Sequence, residues 1–293
     1  MVSSDSVLVI GATGQQGSAV TRSLLRQGSR VKALVRDERS DRSRSLEAEG
    51  VKLLKGDLDD PASIRRALSG VRGVFSMQSF TGTGGVEAEE RQGKRVAQIA
   101  AECGIKHLVY SSVGRAHLAD SVPHFASKAS VEREIHRLGI AATILRPSFF
   151  MENFLNFSVS LRNGRYVVTT GLHPGNSMQM VSVEDVGRIA ALILTQMPPR
   201  GVDTIEISGD DVDGGAIELA FSQALSAPVE YVAMEYDEIA RRSPDLAAMW
   251  SFINNPGYRA DISRLNQEFG EMTTLQGWLS RRSAGDFASR ASY

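Results

Sequence analysis

The run Val7-Leu8-Val9-Ile10 passes directly into Gly11-Ala12-Thr13-Gly14-Gln15-Gln16-Gly17, and this junction constrains the chain more than any other stretch. Four apolar, mostly β-branched residues predict a buried strand. The glycine spacing after them predicts a tight turn that opens a helix over 17–27. Strand, glycine turn and helix in that order form the unit with which a doubly wound fold holds a dinucleotide. Gly11 permits the sharp turn. Gly14 lets backbone N–H groups approach a diphosphate with no Cβ in the way, and Gly17 lets the helix lie close on the strand. The helix start then offers unpaired N–H donors and the positive end of its dipole to an anion. The seven residues from Gly11 through Ala12, Thr13, Gly14, Gln15, Gln16 and Gly17 are therefore the first cofactor-binding candidates. The alternative is a glycine turn kept for chain geometry alone.

The pattern after the turn repeats. Short apolar runs at 31–35, 51–54, 73–77, 107–111 and 142–145 alternate with amphipathic stretches at 40–49, 61–68, 87–103 and 125–137. Pro61 after Asp59-Asp60 marks a helix start, and Gly104 marks a stop. This alternation predicts an α/β fold: a doubly wound, parallel, Rossmann-like sheet. After Pro147 the rhythm changes. Strand patterns at 166–170, 178–182, 204–208 and 229–234 mix with helical ones at 183–196, 216–225, 246–252 and 274–281. Residues 210–215 look like a polar turn cluster. A smaller mixed α/β lobe over 148–293 is expected beside a cofactor domain over 1–147. The boundary is soft, because later strands can rejoin the main sheet. Residues 283–293 are small and polar, and are expected to be poorly ordered.

Composition excludes several classes. A net charge of -1 over 293 residues gives no broad basic field, so direct nucleic-acid binding is not expected. The single cysteine, Cys103, rules out an intrachain disulfide and fits a reducing compartment. It falls in an apolar helical stretch and reads as a buried small hydrophobe. No signal peptide or membrane span is apparent, so a cytoplasmic protein is expected. The five histidines lack ligand spacing, and no metal is expected.

Cofactor preference is read at the end of the second strand. An acidic residue there holds a ribose 2′-hydroxyl, whereas a basic one faces a 2′-phosphate. The strand ends Leu34-Val35-Arg36, with Arg39 close behind. Both guanidinium groups suit NADP(H). In Gly56-Asp57-Leu58, Asp57 either accepts from the adenine amino group or caps the helix at Pro61. Met77, Gln78 and Ser79 follow the fourth strand, where backbone atoms line a cofactor ribose.

The chain also resembles the NmrA-like, atypical branch of the short-chain dehydrogenase/reductase superfamily. The likeness rests on GATGQQG at 11–17, Arg36, Gly56-Asp57-Leu58, Ser111-Ser112, His124-Phe125-Ala126-Ser127-Lys128, and Leu145-Arg146-Pro147 leading into Phe149-Phe150-Met151-Glu152-Asn153-Phe154. Typical superfamily members carry Tyr-x-x-x-Lys on one helix face. There the lysine binds the nicotinamide ribose and lowers the tyrosine pKa. Here Lys128 is present, but His124 stands in the tyrosine's place. The resemblance implies that Lys128 anchors the ribose, that Ser112 orients a carbonyl, and that Phe150, Met151, Glu152 and Asn153 line the nicotinamide end. His124 is either a substitute acid or a half-exposed structural residue at a helix start. Phe149, Phe150, Phe154 and Phe157 could equally form a helical core stripe. Asp185 is given no chemistry.

Two functions follow as expectations. One is an NADPH-dependent reductase of a quinone-like or conjugated small-molecule acceptor. The other is a non-catalytic NADP(H) sensor that regulates a protein partner. The oligomeric state stays open, because the helices at 87–103 and 125–137 could pair between subunits or lie on the surface.

Overall fold

The computed structural model describes residues 6–156, 159–162, 164–196 and 201–288. In chain order the elements begin β1 (Ser6–Ile10), α1 (Gln15–Arg26), β2 (Arg30–Val35), α2 (Asp41–Ala48), β3 (Lys52–Lys55), α3 (Pro61–Leu68), β4 (Val71–Ser76), α4 (Gly85–Glu102), β5 (His107–Ser111), α5 (Pro123–Leu138) and β6 (Ala142–Pro147). They continue with β7 (Phe149–Phe150), β8 (Val159–Arg162), β9 (Arg165–Thr170), β10 (Ser177–Val181), α6 (Val183–Gln196), β11 (Val202–Ile207), β12 (Asp210–Asp213), α7 (Gly214–Leu225) and β13 (Val229–Ala233). Helices α8 (Tyr236–Arg242), α9 (Pro244–Asn254), α10 (Ile262–Phe269), α11 (Leu275–Leu279) and α12 (Ala284–Ala288) close the described chain.

The chain divides into two units. The first comprises residues up to Arg146 together with Val186–Ile205, and the second comprises Pro147–Asp185 with residues from Glu206 onward. The main sheet has the order β3-β2-β1-β4-β5-β6-β11. Its pairs from β3 through β6 are parallel. Strand order reverses between β1 and β4. In an open α/β sheet that reversal leaves a crevice outside the carboxyl ends of the two strands, where ligands bind. The sequence explains the sheet directly: β1 and β5 are buried throughout and read as continuous apolar runs. Leu8, Ile10, Val74, Leu108 and Ile144 pack with Ile64 of α3, Val96 of α4 and Ile135 of α5 in one core. Helix α6 comes close enough to α1 that a Cβ on Gly187 would lie 2.5 Å from the Ala19 carbonyl carbon.

Local chemistry sets the helix starts. Ser40 caps α2, and Asp60 caps α3 with Pro61 following it. Asp57 therefore is not the cap of that helix, because the cap needs the residue immediately before Pro61. Cys103 is exposed rather than buried, since it lies at the C-cap of α4, past the last apolar turn.

The second unit carries two three-stranded sheets, β12-β10-β7 and β13-β9-β8. Residues 210–213 form β12, paired antiparallel with β10, where composition suggested a turn. Asp213 then caps α7. Tertiary pairing overrides the weak strand propensity of those aspartates. Phe149 and Phe150 form a short strand and Met151–Leu155 a 3-10 turn, so the aromatic segment is not a helical stripe. Phe149 packs on Trp250, and Phe154 packs on Phe221. Phe157 lies outside the described residues. Residues 284–288 are helical, although composition suggested poor order over 283–293; residues 289–293 lie outside the described residues. Asp286 stabilises that turn by accepting from the N–H and hydroxyl of Ser283. Among the described residues no helix is long and apolar enough to cross a membrane.

His107 in β5 illustrates the dryness of the first core. Its Nε2 pairs with the Thr143 hydroxyl at 2.9 Å. Burial first, and then the Arg72 charge, pushes its pKa down to about 4 from 6.5. The folded state thus favours the neutral ring. Above pH 6.5 both states are neutral and His107 has no effect on stability. As pH falls from 6.5 towards 4 the unfolded chain takes a proton that the folded chain refuses, and stability drops. His107→Asn is expected to remove up to about 3 kcal/mol of that acid loss, measured by urea unfolding at pH 7.5 and 4.5. An unchanged pH slope would refute this.

Candidate cofactor site

Gly11 sits at φ +80°, which a side chain would oppose. Its carbonyl accepts the Gly14 N–H at 2.9 Å, closing the turn. Gly14 is the N-cap of α1, in extended conformation and without a side-chain acceptor, and the first turn of α1 holds no acid. No side-chain cap satisfies the donors at that helix start, the arrangement that suits an anion. A Cβ on Gly17 would lie 2.1 Å from the Gly11 carbonyl oxygen, so Gly17 sets the contact between α1 and the turn. Met77, at the end of β4, packs across Gly11, whose added Cβ would lie 3.2 Å from Met77 Cε. Glycine turn and β4 end thus meet at the strand-order reversal. Gln16 is fixed by the Ser111 hydroxyl, which donates to its Oε1 at 2.6 Å. Ala12 is buried, while Thr13 is half-buried and Gln15 exposed.

At the end of β2, Arg36 and Arg39 are both exposed. Asp37 folds this loop instead of opposing the arginines. Its Oδ1 accepts the Arg39 N–H at 2.9 Å, and its carbonyl accepts from Ser43 at 2.6 Å. A third arginine joins the group. Arg42 Nη1 reaches the Thr13 carbonyl at 3.5 Å, so α2 leans a cation over the glycine turn. Arg42 lies in the charge-dense stretch 37–44. Asp57 is exposed, with Oδ1 accepting the Asp59 N–H at 2.8 Å. Half-buried Leu58 offers its carbonyl to Arg95. Hydrogen bonds from Gln92 and Arg95 hold the neighbouring Asp59 carboxyl down at about 2.

The buried polar atoms Gln78 Oε1, Tyr110 Oη and Ser112 Oγ have no hydrogen-bond partner among the described residues. Buried polar atoms in a native protein are nearly always satisfied, by protein, water or ligand; Gln78 Oε1 lies under α4 near Gly93, and Tyr110 belongs to the apolar core. Gln78 is held from its other end, where Nε2 donates to Ser76 at 3.0 Å. Ser79 is exposed and pairs with Thr81.

Lys128 of α5 is ion-paired to Glu89 of α4 at 2.9 Å. Sequence reasoning passed over Glu89, which sits in an amphipathic helix with no local mark of its burial. Helices α4 and α5 pack on each other within the chain, with Gly93 against Val131. His124, at the start of α5, is buried rather than half-exposed, because its ring stacks on Phe80 with centroids 4.5 Å apart. Tyr110 is buried in the apolar core of the first unit. Burial, and next the Glu89 charge, pushes its pKa well above the ordinary value.

In the second unit, Phe150 and Asn153 are half-buried and Met151 is buried. The Glu152 carboxylate is taken by its own unit. Oε1 accepts from Trp278 Nε1 at 2.8 Å, and Oε2 accepts the Val183 N–H at 3.0 Å. Burial raises its pKa against those hydrogen bonds. Asp185 accepts the Thr273 N–H, a structural duty. The same unit holds a cavity of about 370 Å³ lined by apolar Met234, Ile239 and Trp250 and by polar His173, Asn176 and Asn254 among others.

The model of the NmrA-like family matches residues 3–283. An NAD(P)H azoreductase of Xenophilus azovorans is 30% identical over 235 residues, covering 79% of this chain and 78% of its own. Among solved structures, an NADPH-dependent quinone oxidoreductase of Escherichia coli, complexed with NADPH, aligns at TM-score 0.80 and 23% identity, covering 94% and 99% of the two chains. The negative transcriptional regulator NmrA, in complex with NADP, aligns at TM-score 0.79 and 20% identity, covering 94% of each chain. This chain belongs to the NmrA-like family.

Proposed function

We propose that the chain binds NADP(H) on its first unit and uses NADPH to reduce a quinone-like or otherwise conjugated small acceptor. The observation that carries this reading is a cofactor cradle without a phenol acid. Lys128 is in place, and His124 stands where a tyrosine would be. The N–H groups of the Gly11–Gly17 turn would hold the diphosphate, with Arg36, Arg39 and Arg42 at the 2′-phosphate and Asp57 at the adenine. Lys128 would donate to the nicotinamide ribose, and Ser112 Oγ would orient an acceptor oxygen. Bound NADPH supplies the hydride.

General acid catalysis typically contributes about 100- to 10,000-fold. A chain lacking the phenol keeps useful rates only with acceptors that take their proton readily from water. Conjugated quinones and dyes are such acceptors, and relatives named for azo and quinone reduction support this class. A cytoplasmic setting belongs to the same reading. Steady NADPH oxidation across a panel of quinones, azo dyes and enones is the test, and absence of turnover with all of them would refute it. Arg36→Glu is expected to weaken NADPH about 100-fold while leaving NADH nearly unchanged, as read by calorimetry. Equal affinity of the variant and the parent for NADPH would remove Arg36 from the site.

A sensor that regulates a protein partner is the second reading. It is favoured by a half-buried Lys128 that is paired to Glu89 and has no tyrosine at position 124, and by the regulator among the structural neighbours. It requires NADPH and NADP+ to bind with different affinity, because a ligand that does not discriminate between states shifts nothing.

A further inference from the structure

We infer that Glu89 is the positioning residue for Lys128: its buried carboxylate fixes the ammonium and cancels its charge, so that Lys128 serves as a hydrogen-bond donor to the ribose and not as a cation that acidifies a neighbour. This rests on the NADP(H) reading above.

The geometry is specific. The Glu89 side chain is 0% exposed and that of Lys128 12%. Glu89 Oε1 accepts from Lys128 Nζ at 2.9 Å, and Oε2 accepts from the Ser127 hydroxyl. Both oxygens of one α4 carboxylate are thus engaged by consecutive residues of α5. The reach is possible because Gly93, one turn further along α4, lets the helices close in. A Cβ there would lie 2.7 Å from Val131 Cγ2. An ammonium has three N–H donors. Glu89 uses one, and the remaining two are available to the two hydroxyls of a ribose.

The charge has a second consequence. Opposite charges at hydrogen-bond distance largely cancel each other's field a few ångströms away. In a Tyr-x-x-x-Lys pair the lysine cation draws the phenol toward ionisation. Here that cation is offset at its source, and position 124 carries a histidine. Tyr110 is driven away from ionisation by burial first and by the Glu89 charge second.

Glu89→Gln tests the role, because it keeps the shape and removes the charge. In the free protein labelled with 15N-lysine, wild type is expected to give a slowly exchanging Lys128 ammonium resonance, identified by its loss in Lys128→Arg. The resonance should vanish in Glu89→Gln. Calorimetry should show NADPH and NADH weakened by the same factor, about tenfold, because both carry the nicotinamide ribose. Arg36→Glu, in contrast, should change their ratio. Unchanged affinity for both nucleotides in folded Glu89→Gln overturns the proposal. So does a wild-type protein with no protected ammonium resonance. Should Glu89→Gln not fold, Ser127→Ala decides. It removes only the second donor to Glu89, and equal weakening of both nucleotides supports the proposal while no weakening overturns it. Wild-type protein that shows the protected ammonium but binds neither nucleotide refutes the NADP(H) function, and with it the ribose role, separately from the ion pair.

Discussion

Gly17→Ala is expected to abolish NADP(H) binding and to destabilise the first unit by about 3 kcal/mol or more, whereas Gly14→Ala should fold normally and lose affinity alone. The sequence assigns the two glycines different roles, diphosphate approach for Gly14 and close packing for Gly17, and their surroundings differ accordingly. A Cβ on Gly17 would lie 2.1 Å from the Gly11 carbonyl oxygen, 2.4 Å from its carbon and 2.7 Å from the Ala12 nitrogen. All three are backbone atoms of the turn, so no side chain can swing aside, and the turn itself must move. A Cβ on Gly14 would meet that same oxygen at 3.3 Å and Met77 Cε at 3.8 Å, a contact that slight relaxation relieves. Gly14 also sits at φ -93°, where alanine is at ease. What Gly14→Ala would obstruct is the approach of a diphosphate to the helix start, at about 10- to 100-fold in affinity. Thermal melting and NADPH calorimetry on the two variants check this. A Gly14→Ala protein with parental affinity would show that no phosphate lies over the turn.

Lys128→Met is expected to destabilise the chain by about 3–5 kcal/mol, because it strands the Glu89 carboxylate in a fully buried position. The double variant Glu89→Gln/Lys128→Met should recover most of that loss, since it removes both charges and leaves side chains of similar size. The pair itself need not contribute much to stability, because desolvating two ions offsets most of their attraction. What is costly is breaking one half. Urea unfolding of the four proteins in a double-mutant cycle isolates the coupling. Lys128→Met within about 1 kcal/mol of wild type would show that Glu89 finds other partners or water. The cycle and the nucleotide affinities measure different things. Stability should return in the double variant, while the ribose-dependent affinity should not.

Much of the first unit was legible in the residues. Strands β1 and β5 are unbroken apolar runs, and α3 carries its own start signal in Asp60-Pro61. Such signals act over a few residues, so a sequence displays them. The second unit was less legible. Helices α8 and α10 went unnoticed, and β12 was hidden in an aspartate-rich stretch that pairs only because β10 lies beside it. The aromatic segment after Pro147 divided into a short strand and a 3-10 turn, because Phe149 and Phe154 pack toward different partners, Trp250 and Phe221.

By itself the sequence determined the strand–turn–helix unit, its glycines and the basic end of β2, since each is written within a few neighbouring positions; the missing tyrosine follows from the family resemblance. The tertiary structure alone decided that Arg42 leans over the turn, that Asp37 serves the loop, that Cys103 is exposed, and that Lys128 shares its charge with Glu89. Arg42 and Thr13 are 29 residues apart, and Lys128 and Glu89 are 39 apart. No local pattern encodes such a meeting, because it depends on how closely and at what rotation two helices and a turn pack, and in α4 a single glycine facing Val131 sets that distance.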